Sequence, residues 1–232
     1  MTTLSTPGSA KQSSNGVTER VARLAAARVS SWQDGYLRDQ PAAVAALARL
    51  RRGAGRDAAA LPDLWGLVDT SPLHTPDQGT RPLSEQQLVR AENALYTALT
   101  LWALHQQSRG TRMHRPHSAA LPGGLGSAIR RLMPAGEIDD AVRKRLVRAG
   151  TAPALTTLAQ RLRDIVTLLR GADISLDYGL LAGQLYAWQW PDGPATVRRA
   201  WGRSFHTLPR TAPDPDGSGS NPPLAKDDKD AS

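Results

Sequence analysis

The chain has no cysteine, a single phenylalanine, sparse β-branched residues and no apolar run approaching the roughly 18 to 20 residues needed to cross a bilayer. Without cysteine there is no disulfide framework, thiolate zinc site or cysteine nucleophile, and a reducing cytoplasmic compartment is the expectation. The opening MTTLSTPGSAKQSSNG lacks the apolar centre of a signal peptide. No membrane partner is expected. With no sustained two-residue alternation anywhere, sheet architectures drop out as well.

What is present is enough apolar material for a core, 40% of 232 residues, carried by a basic chain of net charge +8. The charge is unevenly placed. The tail Leu208 to Ser232 holds three basic and five acidic residues and the head Met1 to Val17 only Lys11, so Thr18 to Thr207 carries +9. That excess favours a polyanionic partner over an acidic small molecule. Arginine supplies 25 of the 29 cations, and its planar fork suits phosphate oxygens better than an ammonium does.

Both ends, rich in Ser, Gly, Pro and Asp with little to bury, read as disordered: residues 1–17 and the acidic tail 208–232. Between them the apolar period is helical throughout. In Thr151 to Arg170, Leu155, Leu158, Leu162, Ile165 and Leu169 recur at alternating steps of three and four, while Arg161 and Arg163 lie off that seam. A second strong helix starts at Ser84, where LSEQQL offers a capping box between Ser84 and Gln87 and a staple between Leu83 and Leu88; it ends near Ser108. Further helices are expected over Thr18 to Leu37, Pro41 to Arg52, Leu125 to Met133, Asp139 to Ala149, Ser175 to Trp188 and Pro194 to Phe205. The fold class is an all-α helical bundle over 18–207, built as two packed sub-bundles of about 18–118 and 119–207.

Motifs for chemistry are thin. PGGLGSA (Pro122 to Ala128) puts glycines at a helix start but lacks the Lys-Ser/Thr of a P-loop and follows no strand. MHRPH places His114 and His117 three apart, yet Pro116 breaks the helix between them and no carboxylate stands near to complete a metal site. EIDDAV gathers Glu137, Asp139 and Asp140, which serve the first turn of the following helix as cap and dipole partners. No catalytic triad, cofactor or metal site is legible.

The basic clusters are the better signal. From Arg109 to Arg148 nine cations face three acids, a net of +6, and RLRRGAGR adds Arg49, Arg51, Arg52 and Arg56 with no acid between them. On the helix from Asp139, a 100° step puts Val142, Leu146 and Ala149 on one face and Lys144 and Arg148 nearly opposite. The aromatics of LYAWQWPDGPATVRRAWGRSF follow helical spacing, Tyr178, Leu181, Leu185 and Trp188, then Val197, Trp201 and Phe205. They read as core rather than as a base-stacking platform, with Trp190 alone placed to be a free ring.

The segments LRRGAG, LVRAENALYTALTLWALHQQS, GLGSAIRRLM and above all SLDYGLLAGQLYAWQW followed by VRRAWGRSF resemble the CasB family, the small subunit of the type I-E CRISPR surveillance complex Cascade. The likeness runs from about Val29 to His206. It implies a non-catalytic, all-helical protein present as two copies in a ribonucleoprotein, helping to hold guide RNA, target DNA and the displaced strand alongside other Cascade subunits. The matching basic positions are Arg51 and Arg52, Arg109 and Arg112, Arg130 and Arg131, and Lys144 and Arg148. Two rival readings stand beside it. One is a free-standing helix-turn-helix regulator, for which Leu125 to Ala149 is the sole candidate and its Pro134 to Gly136 connection a poor fit. The other is a metal-dependent nuclease using Glu137, Asp139, Asp140 and His114.

Overall fold

The computed structural model describes residues 7–57, 62–64, 66–75, 82–134 and 136–207. Its helices are α1 (Pro7–Leu37), α2 (Pro41–Leu50), α3 (Ser71–His74), α4 (Glu85–Gln106), α5 (Leu125–Arg130), α6 (Asp140–Gly150), α7 (Leu155–Gly171), α8 (Tyr178–Trp188) and α9 (Gly193–His206). Among the described residues there is no β-strand, only an isolated bridge between His114 and Leu176. The all-α class is as the apolar period dictates. The acidic tail and residues 1–6 lie outside the described residues.

Helix starts follow the chemistry of their caps. Ser84 Oγ accepts the Gln87 N–H at 3.3 Å while Gln87 Oε1 accepts the Ser84 N–H at 2.9 Å, the reciprocal box expected at the head of α4. Asp139 Oδ1 accepts from the N–H groups of Ala141 and Val142, and Asp177 Oδ1 from that of Leu180, so α6 and α8 begin on aspartate caps.

Several boundaries differ from the periodic expectation for identifiable reasons. Helix α1 begins at Pro7 rather than Thr18; extension of an already packed helix needs no new nucleus, and Pro7 is pre-set for a first helical position. Helix α7 starts at Leu155 rather than Thr151 because Pro153 holds its predecessor out of the helical region. Pro134 likewise follows the early end of α5 at Arg130. Helix α2 stops at Leu50 and tightens into a 3₁₀ turn, Arg51–Gly53. Helix α8 gives up Ser175 to Asp177 to an extended pairing: Leu176 donates its N–H to Met113 O, and Arg115 donates its own to Leu176 O. The short α3 carries no period and was invisible in the pattern.

Helix α4 is the axis of the fold. Every residue from Ala94 to Ala103 is buried, as only a helix enclosed on all sides can be, and α1, α2, α7 and α8 all pack on it. Trp102 stacks on Trp32 of α1 with ring centres 6.2 Å apart. Helix α8 lies on α1 through Gly179 and Gly183, where a Cβ would meet Ala22 O at 2.9 Å and Thr18 O at 3.2 Å. Helix α5 presses on α9 still more closely. A Cβ at Gly126 would stand 2.0 Å from Trp201 O and 2.6 Å from Phe205 N, both backbone atoms, so one helix must move. Gly126→Ala is therefore expected to cost about 1 to 3 kcal/mol of unfolding free energy. Gly202→Ala, which meets nothing within 4 Å, is expected to be neutral or stabilising by up to about 1 kcal/mol. Urea unfolding of the two variants side by side checks both.

Candidate nucleic-acid interface

The rings of the C-terminal region sit inside. Tyr178, Trp188, Trp201 and Phe205 are buried; Trp188 stacks on Trp201 at 5.6 Å and 18°, and Trp201 Nε1–H donates to Gln184 Oε1 at 2.7 Å. Trp190 is not the free ring its position in the turn promised. The Arg90 guanidinium lies 3.9 Å over its face and Tyr186 meets it edge-on, which fixes it as a cation–π partner. These rings are occupied within the fold, which leaves the exposed cations as the candidate binding groups.

The loop carrying Arg109 and Arg112 is held by the buried amides of Gln33 and Gln106 and by the imidazoles of His114 and His117. Gln33 Oε1 accepts the His114 N–H at 2.8 Å and Gln33 Nε2 donates to His114 O at 3.1 Å. Gln106 clamps the same loop, accepting from Met113 N–H and donating to the carbonyls of Arg109 and Thr111. His114 Nδ1 accepts the Tyr178 N–H, and His117 Nδ1 accepts the Gly123 N–H. The two histidines of MHRPH are thus spent on the backbone. Arg109 donates to both carboxylate oxygens of Asp173, at 3.1 and 3.2 Å, and Arg112 pairs with Asp34 at 2.5 Å. Both cations are neutralised within the chain.

His105 lies beneath this loop, its Nδ1 2.8 Å from Tyr178 Oη. Burial pushes its pKa down to about 3, and burial lowers that of His114 as well. Between pH 6.5 and 3 the unfolded chain therefore binds a proton on His105 that the folded chain refuses. The His105 contribution to stability is complete above about pH 6.5 and is lost as pH falls, by up to about 1.4 kcal/mol per pH unit. The difference in urea midpoint between the wild type and His105→Gln, followed from about pH 7.5 to about pH 4, is expected to narrow or reverse on that slope.

The Arg130–Arg131 pair splits. Arg130 Nη1–H donates to the nearby Pro134 O at 3.0 Å. Arg131 is half-buried, donates from Nη2 to Ser175 O at 2.8 Å, and has its pKa lowered by burial. It ties α5 to the segment leading into α8. Charge reversal at Arg131 tests packing, and only Arg130 tests binding.

Arg51, Arg52, Lys144 and Arg148 are exposed, and among the described residues no carboxylate lies within ion-pair distance of them. The two clusters lie against opposite flanks of α7. On the α6 side, Arg161 donates to Arg148 O. On the other, the stem of Arg163 packs against Gly55, whose φ of +79° closes the turn that carries Arg51 and Arg52. Arg161 and Arg163 stand about 160° apart on α7, so each lies beside a different cluster. They are the basic residues that sequence reasoning passed over. Their position off the apolar seam was legible, but nothing along the chain indicated that α7 lies between α6 and the turn at Gly55. Arg143 and Asp140 pair at 2.8 Å, three residues apart on α6, while Asp139 serves as the cap. Asp139 and Asp140 of EIDDAV are thereby accounted for by the helix they begin. Among the described residues no three metal-ligating side chains come together, and no helix is long and apolar enough to cross a membrane.

Residues 46–206 match the family described as CRISPR-associated protein Cse2. The chain belongs to the Cse2 family. Its fold matches the crystal structure of CasB from Thermobifida fusca at a TM-score of 0.71 and 50% sequence identity, covering 81% of this chain and 98% of that one. A CRISPR-associated protein of the Cse2 family from Thermus thermophilus shares the fold at a TM-score of 0.54 and 23% identity, over 78% of this chain and 96% of that one. No curated protein matches the chain. The CasB-like expectation drawn from SLDYGLLAGQLYAWQW and its neighbours is therefore correct at the level of the family.

Proposed function

We propose that this Cse2 protein is the non-catalytic small subunit of a type I-E Cascade complex, holding nucleic-acid backbones rather than reading or cutting them. The observation that carries the proposal is the exposed group Arg51, Arg52, Lys144 and Arg148, none within ion-pair distance of a described carboxylate, with Arg161 and Arg163 of α7 beside the two clusters. Arginine-rich surfaces of this kind bind through phosphate contacts, independent of sequence. An R-loop exchanges one duplex for another of similar stability, so modest backbone contacts to guide RNA, target strand and displaced strand can tip its balance. Partners on this reading are guide RNA, target DNA, the other Cascade subunits and a second copy of the chain in the cytoplasm. Arg109, Arg112 and Arg131, which also match the family's basic positions, contribute less because each is already engaged within the chain.

Expression of a tagged copy together with the other subunits of a type I-E Cascade and a CRISPR array tests the assignment. A short guide RNA and several further Cas proteins are expected to co-purify in fixed stoichiometry. Recovery of the tagged chain alone, or cleavage of DNA by the chain with Mg²⁺ or Mn²⁺, would contradict it.

A further inference from the structure

Between α4, the first turn of α7 and the turn carrying Arg56 lies a pocket of about 140 Å³, about ten times the space a single water needs. The start of α7 forms one wall through Ala154, Leu155 and Thr156. Ala154, at the N-cap position, offers no side-chain acceptor, and no acid stands in the first turn. The N–H groups of Leu155, Thr156 and Thr157 consequently have no partner among the described residues. A helix of 17 residues presents about half a positive charge at such an open end.

The wall contributed by α4 supplies a second, independent sign of a guest. Thr97 is only 6% exposed, yet its hydroxyl lines the pocket and bonds to nothing among the described residues. A mid-helix threonine commonly returns its hydrogen to the carbonyl one turn back, as Thr167 does to Arg163 O at 2.9 Å. A buried hydroxyl left open costs free energy that a bound acceptor recovers. Asn93, one turn earlier on α4, adds a carboxamide with no partner among the described residues. Arg56 is exposed and pairs with no described carboxylate; its turn is seated by Gly55 against Gln160 of α7. Gln189 is already spent, its Nε2 donating to the carbonyls of Arg90 and Leu185, and Asp57 on the same wall has an interaction of its own. One guanidinium, one carboxylate and the positive end of a helix make a weakly positive seat, which suits a singly charged oxyanion better than a doubly charged one.

We propose that this pocket seats one backbone phosphodiester of a bound strand. The N–H groups that open α7, Thr97 Oγ1–H and Asn93 Nδ2–H donate to its non-bridging oxygens, and Arg56 pairs with its charge. Arg51 and Arg52, a few residues before Arg56, then meet neighbouring phosphates. The strand as the source of the phosphate rests on the nucleic-acid reading above; the oxyanion site itself does not. Its neutral donors fix the register of the strand and add affinity without adding to the salt dependence that the arginines confer.

Amide resonances of the isotope-enriched full-length chain, followed at constant ionic strength, test the site with dimethyl phosphate, inorganic phosphate and acetate in turn. Saturable shifts of Leu155, Thr156 and Thr157 are expected with dimethyl phosphate, at lower concentration than with either of the others. Thr97→Val is expected to weaken that binding several-fold. Thr156→Asp, which places a carboxylate of the chain's own at the helix end, is expected to abolish it while melting no lower than the wild type. Absence of saturable shifts at those amides overturns the site. Tighter binding of inorganic phosphate or of acetate overturns the diester, in favour of a free phosphate or an acidic side chain of a protein partner. With a single-stranded oligonucleotide, Thr97→Val is expected to lower affinity several-fold at an unchanged slope against log salt, whereas Arg51→Glu with Arg52→Glu reduces that slope. Full oligonucleotide affinity in Thr97→Val, with dimethyl phosphate binding weakened, would overturn the strand contact and leave the oxyanion site standing. Failure of the wild type to bind the oligonucleotide at all, with dimethyl phosphate binding intact, would overturn the strand as the source together with the functional reading it rests on.

Discussion

Trp201→Ala is expected to lower unfolding free energy by about 3 to 5 kcal/mol, a loss of order 10 °C in Tm for a domain of this size. Trp201 is buried at the junction of three elements: it stacks on Trp188 of α8, its backbone carbonyl lies against Gly126 of α5, and its own helix is α9. Truncation opens a cavity between helices that are already in backbone contact and so cannot easily close around it. It also strands Gln184 Oε1, which accepts the indole N–H at 2.7 Å. Trp201→Phe keeps most of the ring and loses the hydrogen bond, so it is expected to fall well short of the alanine variant. Thermal unfolding by circular dichroism distinguishes them. A drop of less than about 1 kcal/mol for the alanine variant would show that α9 is not held through this ring.

The larger functional effect is expected from reversing the unpaired cations together. Arg51, Arg52, Lys144 and Arg148 are exposed and make no described ion pair, so their replacement by Glu leaves the core untouched and the fold intact. If each neutralises one phosphate, the slope of log affinity against log salt on a single strand falls by about 2.8, from the usual 0.7 per contact. Affinity at low salt is expected to drop about a hundredfold or more, because reversal adds repulsion to the lost contacts. Arg109→Glu with Arg112→Glu provides the contrast. Those side chains already face Asp173 and Asp34, so their reversal is expected to change nucleic-acid affinity less while disturbing the loop they hold. Fluorescence anisotropy across a salt series reads both.

Local chemistry was legible from the sequence and spatial assembly was not. The Ser84 capping box, the Asp139 cap, the α7 seam and the inward-facing rings of α8 and α9 each depend on residues within a few turns of one another, and each is found where the pattern puts it. Boundaries slipped where a neighbour elsewhere in the chain intervened, as at Ser175 to Asp177, drawn into pairing with the Met113 to Arg115 segment. The same division holds for the interface. Charge clustering picked out Arg51, Arg52, Lys144 and Arg148, but could not show that Asp173 and Asp34 neutralise Arg109 and Arg112, since each acid lies more than sixty residues from its partner. Nor could it show that Arg131 is half-buried, or that Trp190 is capped by Arg90 from α4. Arg161 and Arg163 lie off the seam in the pattern, and only the packing of α7 against α6 and against the turn at Gly55 places them beside the two clusters.

The most direct test of the central claim is the lifetime of target DNA on a reconstituted complex in which this subunit carries glutamate at Arg51, Arg52, Lys144 and Arg148. Assembly with the guide RNA and the other subunits is expected to be normal, and target DNA to dissociate many times faster than from the wild-type complex, the gap closing as salt is raised. An unchanged lifetime at low salt, in a complex of full subunit composition, would contradict it.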